Sequence, residues 1–196
     1  NPPFMTPKGG IRPHKKFAMQ ANRSEVLFVD YIMEHINPTT GRAGIIVPEG
    51  IIFQGATAYK ALRKLLVDKK YLYGVISLPA GLFQPYSGVK TSILLLDKSL
   101  AKKTDKILFV KIENDGFALG AQRKELTTSD LPDAINFIKQ YNTALKNDDF
   151  STIDFENLPL KSLVVEKATI AANDDYNLSV DRYRVNTANN NVKFEL

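Results

Sequence analysis

The residues best suited to chemistry open the chain: Asn1, Pro2, Pro3 and Phe4. The Asn1 side-chain carbonyl can accept a hydrogen bond from an exocyclic amine, and a carbonyl of the proline pair can accept the second proton of the same NH2. With both protons held, the nitrogen lone pair points away from the protein, toward a carbon donor placed opposite. The prolines fix φ and remove backbone N–H donors that would compete for those acceptors. Phe4 adds a flat apolar platform for a base that has left its stack. The same four residues are also an ordinary turn or loop opener, so the chemistry depends on what surrounds them.

The surrounding segments follow in the order of an open α/β sheet. Residues 5–21 carry Pro7, Gly9, Gly10 and Pro13 and read as a loop. A helix begins at Asn22 or Ser24, with Glu25 placed for a capping box, and Val26, Val29, Ile32, Met33 and Ile36 recur at helical spacing until Asn37-Pro38 ends it. Residues 43–47 form a short apolar run bounded by Gly and Pro, as expected for a strand buried on both faces. Residues 56–69 set Leu62, Leu65 and Leu66 against Lys60, Arg63 and Lys64, an amphipathic crossover helix. Residues 71–78 and 91–97 are the next two strands. Their connection has no helical pattern, so they are expected to be antiparallel neighbours.

The region after Asp97 is not needed for that sheet, although residues 106–111 read as a further short strand. A helix over 129–146 has Ser129 as its N-cap and Pro132 in its first turn, with Leu131, Ile135, Ile138 and Tyr141 on one face. Residues 147–186 look irregular but rich in apolar groups that need burial, and the Asn-rich residues 187–196 read as a fraying tail.

The formal charge is +5 with a pI near 9.2, and its distribution says more than its size. Lys8, Arg12, His14, Lys15 and Lys16 cluster directly after Phe4, whereas Asp148, Asp149, Asp154 and Glu156 form an acidic patch. Cations beside the opening stretch suit phosphate contacts that supply sequence-independent affinity, and a solvated basic loop has the same composition. The absence of cysteine excludes a disulfide framework and a thiolate metal site, and two separated histidines make a poor zinc site. No stretch reaches the ~18 apolar residues of a membrane span.

Several motifs together carry a family resemblance. Asn1-Pro2-Pro3-Phe4 is followed by Gly41-Arg42-Ala43-Gly44-Ile45-Ile46-Val47-Pro48-Glu49-Gly50, by Leu78-Pro79-Ala80-Gly81-Leu82-Phe83 and by Val89-Lys90-Thr91-Ser92. Asp175-Tyr176-Asn177-Leu178-Ser179 and Arg182-Tyr183 come near the end. The set resembles the adenine-specific DNA methyltransferases, most of all the modification subunit of type I restriction-modification systems. The resemblance implies the C-terminal half of a Rossmann-like S-adenosylmethionine-dependent methyltransferase sheet with an antiparallel last strand, plus a helical and irregular extension. Its divisions would be 1–111 for the catalytic part, 112–186 for the extension and 187–196 for the tail.

By the same resemblance, Asn1, Pro2, Pro3 and Phe4 grip a flipped adenine, and Phe83, with Tyr86 second, stacks on it. Lys8, Arg12, Lys15, Lys16 and Lys90 would meet DNA phosphate. The main S-adenosylmethionine site is expected upstream of Asn1, because no glycine-rich loop here has the required spacing. The chain alone is then expected to be inactive. The implied partners are DNA and the specificity and restriction subunits, in a bacterial or archaeal cytoplasm, with helix 129–146 and residues 170–186 as candidate subunit contacts. A strand over 43–47 without first-half neighbours would have an apolar edge to be covered by another chain or a further portion of the protein. Two alternatives stay open: a stand-alone adenine methyltransferase, and a non-catalytic DNA-binding or assembly module.

Overall fold

The structure is a computed structural model that describes residues 1–6, 9, 13–172 and 174–189, with side chains through residue 184. The first helix, α1 (Ser24–His35), buries Val26, Val29 and Met33 along one face. The expected capping box does not form. Arg23 occupies the cap position without a side-chain bond, and the Glu25 carboxylate is taken by the Tyr59 hydroxyl at 3.0 Å. The helix stops where Pro38 forbids its continuation, and the Asn37 side chain accepts from Thr39 N at 2.9 Å and Thr40 N at 3.1 Å. Gly41 closes that turn, since a Cβ there would lie 2.6 Å from the Asn37 backbone.

From this turn run β1 (Arg42–Pro48), α2 (Glu49–Phe53), α3 (Thr57–Asp68), β2 (Leu72–Ser77) and β3 (Thr91–Asp97). The short α4 (Lys98–Ala101) follows at once, with the Asp97 carboxylate accepting from Leu100 N at 3.0 Å. Then come β4 (Lys106–Lys111), α5 (Leu131–Asn147), β5 (Leu163–Glu166), α6 (Lys167–Ala171) and α7 (Val180–Asn189). The sheet order is β1-β3-β2-β4-β5. β3 is antiparallel to β2, as the non-helical connection requires, and it is wedged so that it is antiparallel to β1 as well. β2 and β4 are parallel. The ends of β1, β2 and β4 therefore lie at one edge of the sheet, together with the start of β3.

Three expectations need correction. β1 is not buried on both faces: Ile45 and Val47 are inside, Gly44 is exposed and Ile46 half-buried. It stands at the end of the sheet, where the helices cover one side only, and among the described residues no strand pairs with its outer edge. The region beyond Asp97 does serve the sheet, since β4 pairs with β2 and β5 pairs antiparallel with β4. Finally, α5 has Asp130 at the cap position without a side-chain cap bond, while the expected Ser129 hydroxyl accepts from Leu131 N at 3.2 Å, and the helix buries Ala134, Phe137, Tyr141, Ala144 and Leu145 while Leu131 and Ile135 stay exposed. The cap carboxylate is used on the preceding strand's exit, accepting from Glu113 N and Asn114 N at 2.8 Å each.

Two apolar layers flank the sheet. One combines α1, α2 and α3 with Leu72, Val75, Leu94, Leu96, Ile107 and Phe109. The other sets α5 against Tyr73, Ile76, Leu108 and Val110. The residues before α7 and its first turn, expected to be irregular, are built into the first layer: Leu178 N donates to Ile52 O at 2.9 Å, and Tyr176, Leu178 and, within α7, Tyr183 are buried. Arg63, 0 % exposed, holds this segment down by donating to Asp175 O at 2.7 and 3.0 Å, to Ile51 O at 2.9 Å and to Gln54 O at 3.0 and 3.1 Å. Burying a guanidinium is tolerable only with its donors satisfied in this way.

Candidate functional site

Residues 1–4 are fixed through Ser24, the first residue of α1. Its hydroxyl lies 2.7 Å from Pro3 O and 2.8 Å from Met5 O, and Met5 N donates back to it at 3.3 Å. Ser24 N donates to Met5 O at 3.1 Å. Pro2 is buried, Phe4 half-buried, and Asn1 and Pro3 are exposed. The Pro3 carbonyl thus already shares one lone pair with Ser24 and keeps a second. Ser24 was not legible as a site residue, because its partners lie 19 and 21 positions away.

The Tyr59–Glu25 bond fixes which edge of the sheet this stretch occupies. Tyr59 is in the first turn of α3, which follows β1 and α2 and so begins beside the end of β1. Glu25 is in the first turn of α1 and bonds to it. Residues 1–4, tied to that same turn, lie beside the ends of the parallel strands. In that bond both groups are out of water, and burial with the Glu25 carboxylate alongside raises the Tyr59 hydroxyl above its ordinary pKa.

The connection 79–90 leaves the same edge. Its ends are joined by Leu78 N donating to Thr91 O at 3.1 Å, and Glu49 N donates to Lys90 O at 3.0 Å. Gly81, with φ +79°, turns the chain so that Gln84 N reaches Gly81 O at 3.1 Å, and Ser87 N reaches Phe83 O at 2.9 Å. Phe83 is half-buried and Tyr86 is 95 % exposed. The two aromatic candidates therefore differ, Phe83 lying partly against the protein and Tyr86 projecting from it. Among the described residues no hydrogen bond or ring contact joins residues 1–4 to this loop; they share an edge.

The basic residues are more dispersed than their spacing suggested. His14, Lys15 and Lys16 are exposed, with Lys16 N donating to His14 Nδ1 at 3.2 Å. Lys8 and Arg12 lie outside the described residues. Lys90 is paired, its Nζ 3.1 Å from Glu49 Oε1, so much of its charge is matched inside the protein. Thr91 and Ser92 are each 1 % exposed and begin β3 within the sheet. The far end of the basic loop is secured by Met19 N donating to Asp30 Oδ2 at 2.8 Å. Burial raises the Asp30 carboxyl above the ordinary carboxylate range, against the lowering effect of this bond.

An adenosyl group does not fit the cavity at the strand ends. The polar cavity at the strand ends, lined by Glu49, Ser77, Ser92 and Ser179 among others, has a volume of about 10 Å³, room for one water molecule. Among the described residues no cluster of three or more His, Cys, Asp or Glu could hold a metal ion. No helix among them is long and apolar enough to cross a membrane.

Comparison with known proteins decides the family. Residues 1–191 match the model of the N-6 DNA Methylase family. The chain belongs to that family. Among its relatives, the Type I restriction enzyme EcoEI methylase subunit of Escherichia coli is 36% identical over 104 residues, which is 53% of this chain and 21% of that protein. The Type I restriction enzyme MpnII methylase subunit of Mycoplasma pneumoniae is 34% identical over 107 residues, 55% of this chain and 18% of that protein. The matched region is thus about a fifth of the length of these relatives. A type I restriction-modification methyltransferase subunit from Streptococcus thermophilus has the same fold, with a TM-score of 0.56 over 85% of this chain and 32% of its own, at 22% identity. A structure concerned with complex assembly and conformational transition of the type I R-M system overlays with a TM-score of 0.66 over 91% of this chain and 35% of its own, at 24% identity. The fold is that of the Rossmann-like type I methyltransferase subunits, a mixed α/β sheet with an antiparallel inserted strand.

Proposed function

We propose that this N-6 DNA methylase chain supplies the target-base side of an adenine methyltransferase in a type I restriction-modification complex. The observation that carries the reading is the placement of Asn1, Pro2, Pro3 and Phe4 at the edge of the sheet from which the Phe83 loop also emerges. Asn1 Oδ1 and a proline-pair carbonyl accept the two protons of the exocyclic amine and leave its lone pair free. The Pro2 carbonyl is the better acceptor, since Pro3 O is shared with Ser24. Phe4 and Phe83 provide apolar surface for the extruded base, with Tyr86 as the exposed second aromatic. No side chain need act as a general base; these residues contribute orientation.

Lys8, Arg12, Lys15 and Lys16 supply phosphate contacts, and Lys90 a smaller share because of its pairing with Glu49. S-adenosylmethionine is the methyl donor, held by parts of the protein beyond these residues, so the 1–196 chain by itself is expected to be inactive. Target choice belongs to a specificity subunit and cleavage to a restriction subunit. The exposed Leu131 and Ile135 on α5 offer apolar surface to such a partner. A further portion of the protein is expected along the free edge of β1. The chemical test is transfer of labelled methyl from S-adenosylmethionine to adenine in duplex DNA by the full-length protein with its specificity subunit. Wild type is expected to label DNA and Asn1→Ala to lose at least about 10²-fold in rate. A wild type that binds DNA and assembles but never labels it would favour the non-catalytic assembly module.

A further inference from the structure

β2 and β4 are parallel neighbours, so the segments that follow them leave the sheet side by side. The one after β2 is the Phe83 loop, and the one after β4 folds into a small hairpin. Phe117 pairs with Glu125, Ala118 N donates to Lys124 O at 2.8 Å and Leu126 N donates to Gly116 O at 2.8 Å. The hairpin's root is bound to the start of α5, with Asp130 N donating to Asn114 O at 2.8 Å and Asn114 Nδ2 to Thr128 O at 3.0 Å.

From this braced hairpin Arg123 reaches across to the loop. One guanidinium nitrogen donates to Leu82 O at 2.8 Å, and the other pairs with the Asp115 carboxylate. The guanidinium carbon also sits 5.4 Å from the centre of the Phe117 ring. Asp115 is buried and its second carboxylate oxygen has no hydrogen-bond partner, so Arg123 is its counter-charge. Leu82 immediately precedes Phe83. Among the described residues, Arg123 is the sole side chain from outside the loop that bonds to residues 80–89; the remaining bonds there are internal turns.

We propose that Arg123 is a positioning residue for methyl transfer, setting through the Leu82 carbonyl the pose in which Phe83 meets the extruded base. The proposal rests on the reading of this site as the target-base side of an adenine methyltransferase. A phosphate contact is the competing role, and it is disfavoured because the Asp115 carboxylate already matches the Arg123 charge and two of its five N–H donors are engaged within the protein. Lysine cannot replace it, since one ammonium cannot reproduce the planar fork between a carbonyl and a carboxylate.

The test uses the full-length protein in complex with its specificity subunit, and a duplex carrying 2-aminopurine at the target position for the fluorescence measurement. Arg123→Ala and Arg123→Lys are compared with wild type for single-turnover methylation of the adenine duplex, DNA affinity as a function of salt, and 2-aminopurine fluorescence. The expected result is a fall of about 10²-fold in methylation rate in both variants, as a misplacement of ~1 Å can cause. DNA affinity and its salt slope stay at the wild-type value, and the extruded base brightens as its stacking loosens. If the alanine variant fails to fold, the lysine variant decides, since it keeps the charge beside Asp115. Methylation within twofold of wild type in the lysine variant overturns the proposal, as does a salt slope reduced by about one, which marks a lost phosphate contact. A wild-type complex that transfers no methyl group overturns the underlying reading and this proposal with it. An active wild type with unaffected variants overturns the role of Arg123 alone.

Discussion

The Ser24 hydroxyl serves Pro3, Met5 and the start of α1 at once, so one oxygen sets the direction in which residues 1–4 approach the sheet edge. Replacing it removes hydrogen bonds in a partly solvated place. Ser24→Ala is expected to cost only about 0.5–1.5 kcal/mol of stability, by chemical denaturation. Methylation by the full-length complex should fall by about tenfold or more, because the acceptors lose their aim. Equal, small losses in both would show that Ser24 is only a helix-start residue. At this scale the sequence exposes chemical types and hides partnerships. Asn1 and Phe83 stand out because amide and aromatic groups suit a base. Ser24, Arg63 and Arg123 act on backbone carbonyls 21, 112 and 41 positions away, and nothing local to them announces those acceptors.

Among the elements, α1, β1, α3, β2 and β3 were legible because each has a helical period or a continuous apolar run and a clear stop, whereas the five-residue α2 was not read. α5 was found but mis-phased. Large side chains weighted the reading toward Leu131 and Ile135, whereas Ala134 and Ala144 let the helix approach the sheet closely beside Phe137 and Tyr141. β5, α6 and α7 were too short or too polar to show a period. Lys167, at the start of α6, is an instance of what that hid: its buried ammonium donates to Ala101 O at 2.7 Å and Thr104 O at 2.6 Å, joining α6 to the end of α4. Burial pushes its pKa down to about 8 from the ordinary 10.5. Between those values the folded chain binds fewer protons than the unfolded one, so stability should rise with pH across the window and be lost as pH falls through about 8. Denaturation midpoints from pH 7.5 to 10 check this: the rise should disappear in Lys167→Met, and an identical slope in that variant would assign it to other groups.

For the molecule as a whole, residue 111 is not a boundary of folding. β5 lies beyond it and pairs with β4, and Leu178, Val180 and Tyr183 close the layer that begins with α1. A chain cut after residue 111 is therefore expected to lose cooperative unfolding, seen as a broad, non-sigmoidal loss of circular dichroism in urea. A sharp transition would show that the first part folds alone. The sequence indicated the sheet's type and the antiparallel pairing of β2 and β3, but not that β3 separates β1 from β2, because insertion of a late strand between two early ones leaves no mark on hydrophobic pattern. That insertion has a consequence in time. Val47 must wait for Ser92, 45 residues later, before β1 gains its β3 neighbour. At ~5–20 residues per second of synthesis, the side of β1 that β3 will take stays an unpaired ribbon for several seconds, an interval in which a nascent chain needs a chaperone.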